Sequence, residues 1–184
     1  MFVLVTGGSA SGKSEYAENR LLALRGQRRN SVYIATMKPF GQEAQERIRK
    51  HREQRKQKSF KTVECYTDLH TCIEGLENKA LFRGDILLEC MSNLVANEMF
   101  RDTDIPSEKE GKSEDVCEKI LFGVDSLLSQ CRNLVIVTNE VFGDTMTYEK
   151  ETLDYIKLLG KINRELAKRA DEVVEVVYGI PLIW

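Results

Sequence analysis

Several patterns that mark common protein classes are absent from this sequence. The five cysteines are odd in number and form no CxxC pair, which argues against a disulfide framework or a cysteine zinc site and predicts reduced, buried thiols. No window approaches the roughly 18 apolar residues of a membrane span, and the start, MFVLVTGG, lacks a basic n-region. A formal net charge of -2 gives the whole chain no attraction to nucleic acid or anionic lipid. We therefore expect a cytoplasmic protein with no membrane span and no nucleic-acid partner.

The composition that remains is typical of one globular domain. Apolar residues make up 42% of the 184 residues and charged residues 30%, which is enough to build a sizeable core. We expect a single domain over residues 1–184. The stretch from Arg101 to Asp115 is highly charged and contains Pro and Gly, so it predicts an exposed surface loop, with a lid or a subunit contact as the alternatives.

Short apolar segments rich in β-branched residues alternate with longer amphipathic segments. Continuous apolar strands between helices are typical of a mostly parallel sheet that is covered on both faces. We therefore predict an α/β fold. The predicted strands are 2–6, 31–36, 62–65, 85–90, 133–139 and 172–178, and the predicted helices are 13–25, 41–58, 68–79, 114–131 and 148–170.

A glycine-rich motif follows the first predicted strand and opens the first predicted helix. GGSASGKS, residues 7–14, fits GxxxxGK[ST], the pattern of a phosphate-binding P-loop. Its glycines let backbone amides face the phosphates, its lysine neutralises the β- and γ-phosphates, and its serine hydroxyl suits magnesium. We predict a P-loop nucleotide-binding fold with nucleotide contacts from Gly7, Gly8, Ser9, Ala10, Ser11, Gly12, Lys13 and Ser14.

Polar residues also end two later apolar strands. Glu89 closes the run ILL, and Asn139 and Glu140 follow LVIVT. Ligands of open α/β folds bind at the carboxyl edge of the sheet, and P-loop proteins hold magnesium with a carboxylate at such a strand end. Glu89 is therefore the predicted magnesium partner of Ser14, and a solvent-facing strand end is the alternative.

One of the two histidines lies in a basic segment, ERIRKHREQR. If 41–58 is helical, Arg47, His51 and Arg55 share one face, because they are spaced by four. Two guanidinium groups beside a neutral imidazole would form a phosphate clamp around a nucleophile. Spacing alone also fits a solvated basic face, which is the commoner meaning of such runs. His70 lies outside the motif and is read as an ordinary surface or packing residue.

Together, these segments resemble one enzyme family. The segments are GGSASGKS, YIAT at 33–36, RIxxHxxxR at 47–55, TVEC at 62–65, LLEC at 87–90, VTNEV at 137–141, and GKIN followed by ADEV at 160–173. Their order and spacing resemble those of the bifunctional adenosylcobinamide kinase/adenosylcobinamide-phosphate guanylyltransferase family. The resemblance implies a cobalamin-pathway enzyme that uses GTP or ATP with Mg²⁺. Such an enzyme phosphorylates adenosylcobinamide and then transfers GMP onto that phosphate. The resemblance also implies a homotrimer.

The resemblance assigns roles to individual residues. It implies that His51 is the nucleophile that carries GMP, and it is consistent with Lys13 as a second catalytic residue and with Ser14 and Glu89 as the metal ligands. Outside the loop, the nucleotide contacts that it implies are Thr36, Met37, Lys38, Arg52, Glu53, Gln54, Arg55, Glu64 and Glu89.

The chain departs from the family pattern at two places. Ala10 stands where the loop commonly has arginine, and FGDTMTYE at 142–149 replaces a run that resembles GxGIVPE. Loss of glycine and proline reshapes a loop, so we expect self-guanylylation to persist and phosphorylation of adenosylcobinamide to be weak. Two other functions fit the motifs: a small-molecule P-loop kinase without guanylyl transfer, and a non-catalytic nucleotide-binding regulator or RNA-binding module that uses the basic run 47–61.

Overall fold

The structure, a computed structural model, describes residues 1–27, 31–42, 45–46, 48–49, 53, 58–72, 84–101, 112–141 and 148–184. Its strands are β1 (Phe2–Thr6), β2 (Ser31–Ala35), β3 (Phe60–Glu64), β4 (Asp85–Glu89), β5 (Asn133–Val137), β6 (Glu172–Val177) and β7 (Ile180–Ile183). Its helices are α1 (Lys13–Arg25), α2 (Met91–Met99), α3 (Lys112–Gln130) and α4 (Lys150–Arg169), with a 3-10 helix at Leu69–Thr71. The described residues 41, 42, 45, 46, 48, 49 and 53 are also helical.

The seven strands form one sheet in the order β3-β2-β4-β5-β1-β6-β7. Every neighbouring pair from β3 to β6 is parallel, and only β7 runs antiparallel, along β6. The carboxyl ends of six strands therefore meet at one edge. This confirms the predicted α/β fold with a mostly parallel sheet.

Alternate residues of the central strands pack against two different helical layers. Val3 and Val5 of β1 face the layer formed by α1, where Ala17 and Leu21 are fully buried. Phe2 and Leu4 face the opposite layer, which contains buried residues of α2, α3 and α4, among them Leu94, Leu127 and Leu159. Because both faces of each central strand are covered, the strands read as continuous apolar runs.

The element boundaries differ from the predicted ones in a few places. The sequence reading missed α2 and β7. It also extended the charged loop through Asp115, whereas α3 begins at Lys112, so the end of that stretch is helical; acidic residues in this first turn favour the helix dipole. Of the predicted helix 68–79, the structure has the 3-10 helix at Leu69–Thr71, and residues 73–79 lie outside the described residues. Within the described parts of the chain, no helix has the length and apolarity needed to span a bilayer.

Candidate nucleotide-binding site

The loop between β1 and α1 is shaped by glycines. Gly7 has a φ of 151°, and a Cβ placed there would lie 2.5 Å from the carbonyl oxygen of Val176. Gly12 has a φ of 91°, in the region that side chains disfavour, and directly precedes α1. The loop therefore packs tightly against the end of β6. It places the first turn of α1 at the carboxyl edge of the sheet.

The lysine and the serine of the motif are held by different partners. Lys13 is only 8% exposed, and its Nζ donates to the carbonyl oxygen of Gly8 at 2.8 Å. The Ser14 hydroxyl donates to Oε1 of Glu89. The ammonium group thus lies over the loop itself, whereas the hydroxyl faces a carboxylate from another strand.

Glu89 reaches the loop because of its position along β4. It follows Leu87 by two residues, so its side chain projects to the same face of the sheet as Leu87, which packs in the α1 layer. Tyr33 on the neighbouring β2 donates its hydroxyl to Oε2 of Glu89 at 3.0 Å. Both carboxylate oxygens therefore accept a hydrogen bond from a hydroxyl group. These two bonds fix the carboxylate beside Ser14.

A cleft of about 560 Å³ opens between the loop and the end of β4. Its floor lies over β5, the strand that separates β1 from β4. It is lined by Ser9, Ala10, Ser11, Gly12, Lys13, Ser14, Glu15, Met37, Glu89, Cys90, Asn93, Val137, Asn139, Glu140 and Val141.

The segment after β5 is tied down on three sides. The amide of Glu140 donates to the carbonyl oxygen of Gly7 at 3.2 Å, and Nδ2 of Asn139 donates to Oγ of Ser92 at 2.6 Å. From α4, Nδ2 of Asn163 donates to the carbonyl oxygen of Asn139 at 3.5 Å. The wall of the cleft is thus connected to the loop and to two helices of the opposite layer.

The thiol in the cleft is unsuited to nucleophilic attack. Cys90 is buried, and burial raises its pKa above the ordinary value for a thiol. A thiol with a raised pKa stays protonated at neutral pH, and the protonated form is a poor nucleophile. Burial and a raised pKa therefore both argue against Cys90 as a nucleophile in this cleft.

The structure brings together most of the residues that the motif analysis placed at the loop. Lining the cleft are Ser9 to Ser14 of the motif, Met37, Glu89, and the strand-end pair Asn139 and Glu140. Gly7 and Gly8 belong to the same loop, and they position its backbone.

Other predicted contacts lie elsewhere in the described part of the chain. Thr36 is fully buried, and its hydroxyl exchanges hydrogen bonds with the backbone of Cys90. Lys38 and Glu53 are exposed, and neither lines the cleft. Glu64 ends the edge strand β3, where it accepts from the hydroxyl of Tyr66. Nucleotide contacts by these four residues remain predictions.

The predicted nucleophile lies outside the described residues. The same holds for Arg47, Arg52, Gln54 and Arg55 of its motif and for residues 142–147 of the departing loop. Their roles rest on the sequence alone.

Three residues of the site were not singled out in the sequence. Tyr33 begins the segment YIAT, but that segment does not predict its contact with Glu89, because the contact depends on β2 and β4 being neighbours. Asn93 lies in the first turn of the missed helix α2. Asn163 belongs to the segment GKIN, but the sequence of that segment does not predict its contact with Asn139.

Comparison with solved structures shows the same overall fold in another protein. A solved ATPase domain aligns with a TM-score of 0.51 at 7% identity, covering 95% of this chain and 68% of that one. The flagellar accessory protein FlaH from Methanocaldococcus jannaschii aligns with a TM-score of 0.49 at 12% identity, covering 95% and 70% of the two chains. At 7% identity, the likeness to the ATPase domain shows the fold alone.

Sequence comparison is more specific. The bifunctional adenosylcobalamin biosynthesis protein CobU of Escherichia coli is 33% identical over 184 residues, covering 98% of this chain and 97% of that protein. Its namesake from Salmonella typhimurium is 34% identical over 188 residues, with the same coverage. The family model described as cobinamide kinase/cobinamide phosphate guanyltransferase matches residues 3–183. The family match and the two relatives show that the chain belongs to the cobinamide kinase/cobinamide phosphate guanyltransferase family.

Proposed function

We propose that this protein phosphorylates adenosylcobinamide and then transfers GMP from GTP onto the new phosphate. The observation that carries the proposal is the pairing of Ser14 with Glu89 beside the P-loop, at a cleft of about 560 Å³. The family membership supplies the acceptor class, because its description names cobinamide and cobinamide phosphate.

In this proposal, the loop holds the triphosphate of GTP or ATP. Lys13 exchanges the carbonyl oxygen of Gly8 for phosphate oxygens, since a negative oxygen is a stronger acceptor than a neutral carbonyl. The side chains also fit Mg²⁺, because the Ser14 hydroxyl and the Glu89 carboxylate are neighbouring oxygen ligands that would hold the ion together with phosphate oxygens and water. Bound Mg²⁺ would neutralise charge on the phosphates.

The kinase step needs the acceptor beside the terminal phosphate. Asn139 and Glu140 line the cleft beside the loop, so the proposal places the attacking hydroxyl of the aminopropanol arm next to them. The hydroxyl oxygen forms a bond to the γ-phosphorus and gives its proton to solvent, the bond to the bridging oxygen breaks, and the nucleoside diphosphate leaves against Lys13.

The guanylyl transfer would use His51. A ring nitrogen of His51 attacks the α-phosphorus of GTP, and pyrophosphate leaves with the electron pair of the broken bond. An oxygen of the corrinoid phosphate then attacks the same phosphorus and releases the histidine. Support for this step comes from the motif RIxxHxxxR at 47–55 and from the family match.

We also propose a cytoplasmic location and a trimeric assembly. The first follows from the reading of the five cysteines as reduced thiols, and the second from the family resemblance alone.

The proposal is tested by following the corrinoid. Purified protein is incubated with adenosylcobinamide, GTP and Mg²⁺, and the products are identified by mass spectrometry. We expect two successive products, the phosphate and the GDP-linked corrinoid. The phosphate alone would identify a small-molecule kinase without guanylyl transfer. A second reaction supplies adenosylcobinamide phosphate in place of adenosylcobinamide, and recovery of both starting corrinoids unchanged would contradict the proposal.

A further inference from the structure

The turn between β6 and β7 packs directly against the phosphate loop. The amide of Gly179 donates to the carbonyl oxygen of Ser11 at 2.8 Å. A Cβ placed on Gly12 would lie 3.3 Å from the Cα of Gly179, so the two backbones are in close contact. The turn is therefore part of the wall of the phosphate loop, on the side away from the cleft.

The other residue of this turn, Tyr178, has a conformation that tyrosine rarely adopts. Tyr178 has a φ of 50° and Gly179 a φ of 80°. Two positive φ angles in a two-residue hairpin are typical of a type I′ turn, in which asparagine, aspartate and glycine are the favoured residues. A bulky residue in this region is a conformational outlier, and such outliers concentrate where the side chain has a function.

Packing does not account for the tyrosine. Tyr178 is 94% exposed, so the fold gains little from burying its ring. A large planar ring thus stands in solvent next to the loop, at a position where asparagine or glycine would form the turn more easily.

The sheet order determines which end of a nucleotide would meet this ring. The cleft flank of the loop, which contains Ser14, Glu89 and Asn139, lies toward β5 and β4. Terminal phosphates bind beside the P-loop lysine and the metal ligands, so they belong to this flank. The nucleoside is at the other end of the triphosphate, so it would lie on the opposite side of the loop. That side is the hairpin flank, formed by Tyr178 and Gly179 between β6 and β7.

We propose that the ring of Tyr178 stacks on the base of the nucleotide bound at the phosphate loop. The inference rests on the proposed nucleotide site and adds the subsite for its base. Stacking uses the π-face that every base has, so the platform serves guanine and adenine alike. It contributes to the affinity for GTP and ATP without choosing between them.

The test compares ligands with and without a base. Calorimetry would measure the binding of GTP, ATP and inorganic tripolyphosphate, each with Mg²⁺, to the wild type and to Tyr178→Asn, Tyr178→Phe and Trp184→Ala. Asparagine suits the type I′ turn and removes the ring, whereas phenylalanine keeps the ring. Trp184 follows β7 at the other end of the same hairpin, where its amide donates to the carbonyl oxygen of Val173 near the start of β6. It is therefore the matched exposed aromatic residue, far along the strands from the turn.

We expect Tyr178→Asn to weaken GTP and ATP equally, by about 5- to 10-fold, the low end of the range for one stacked base. Tripolyphosphate binding should stay unchanged in that variant, and Tyr178→Phe and Trp184→Ala should bind all three ligands like the wild type. An equal loss of tripolyphosphate binding in Tyr178→Asn would overturn the base platform, because the turn would then only shape the loop.

Unchanged GTP affinity in Tyr178→Asn would also overturn the platform, but it would leave the proposed nucleotide site intact. A wild type that binds neither GTP nor tripolyphosphate would reject the nucleotide site itself. The two failures are therefore distinguishable. A loss of GTP affinity in Phe40→Ala, with none in Tyr178→Asn, would place the base on the β2 side, where Phe40 is another highly exposed aromatic residue, and would contradict the assignment.

Discussion

The two flanks of the phosphate loop are built differently. On the cleft flank, side chains hold one another: Ser14 and Tyr33 both donate to Glu89, and Asn139 donates to Ser92. On the hairpin flank, the backbone of Gly179 makes the contact with the loop, and the side chain of Tyr178 is exposed.

Because of this difference, we expect the cleft flank to determine the rate of the reaction and the hairpin flank to contribute to nucleotide affinity. Linked polar groups keep each atom in a fixed place, as transfer of a phosphoryl or guanylyl group requires. The exposed ring of Tyr178, held only through the backbone of its turn, tolerates small displacements and adds only contact area to a bound base. Substitutions on the cleft flank should therefore change turnover and metal dependence, whereas substitutions on the hairpin flank should change affinity.

The largest effect is expected for Lys13→Ala. It removes the charge that faces the phosphates, so nucleotide affinity should fall, and turnover should fall by about 100-fold or more. Calorimetry and steady-state kinase assays would measure both. Lys168→Ala is the control, because that lysine is exposed and paired with Glu165 on the surface of α4. Wild-type affinity and turnover in Lys13→Ala would mean that the loop is only a structural turn.

Glu89→Gln should act through the metal. The amide keeps the size of the carboxylate and loses its charge, so we expect a roughly 10- to 100-fold loss of activity that excess Mg²⁺ partly restores. Without metal, the variant should bind nucleotide as well as or better than the wild type, because a negative charge near the phosphates is gone. Weaker metal-free binding in the variant would show that Glu89 does not work through a cation.

Gly7→Ala tests the backbone that both flanks share. The new Cβ would meet the carbonyl oxygen of Val176 at 2.5 Å, so the loop or β6 must shift, and the free energy of unfolding should drop by about 1–3 kcal/mol. At Gly8, an added Cβ would meet no atom within 4 Å, so Gly8→Ala should change the free energy of unfolding by less than about 0.5 kcal/mol. Denaturant unfolding of the pair measures the difference, and equal losses would contradict the close contact at Gly7.

The smallest effect is expected for Tyr33→Phe. It removes the hydroxyl that donates to Glu89 at 3.0 Å and leaves the ring in the α1 layer. We expect a rise of a few-fold in the Mg²⁺ concentration needed for half-maximal activity. Tyr155→Phe is the matched control, because its hydroxyl donates to the carbonyl oxygen of Ser92 and not to Glu89. The same rise in both variants would assign the effect to general loosening of the fold.

The fold could be predicted from the sequence wherever one local signal was strong. Central strands such as β1, β4 and β5 are apolar on both faces, and α1 and α4 are long enough for their boundaries to be recognised. The short α2 begins two residues after Glu89, with no turn residue to separate it from β4. In β7, Pro181 argues against a strand, and the sheet accommodates it because β7 is an edge strand.

The site could be predicted where a motif or a strand end identified it, as for Lys13, Ser14 and Glu89. Its supporting contacts could not, because they depend on which elements become neighbours. The contact of Tyr33 with Glu89 requires β2 to lie beside β4, and that of Asn163 with Asn139 requires α4 to reach the end of β5. Tyr178 reads as the end of an apolar strand, and only the packing of its turn on the loop points to a role.

The central claim is that the loop presents GTP to His51, and labelling tests it most directly. The protein is incubated with Mg²⁺ and GTP labelled at the α-phosphate, denatured, and assayed for bound label that is acid-labile and alkali-stable, as a phosphoramidate is. The second histidine provides the control. We predict label on the wild type and on His70→Ala, and none on a folded His51→Ala. Full labelling of His51→Ala, or label bound from the γ-phosphate of GTP, would contradict the account.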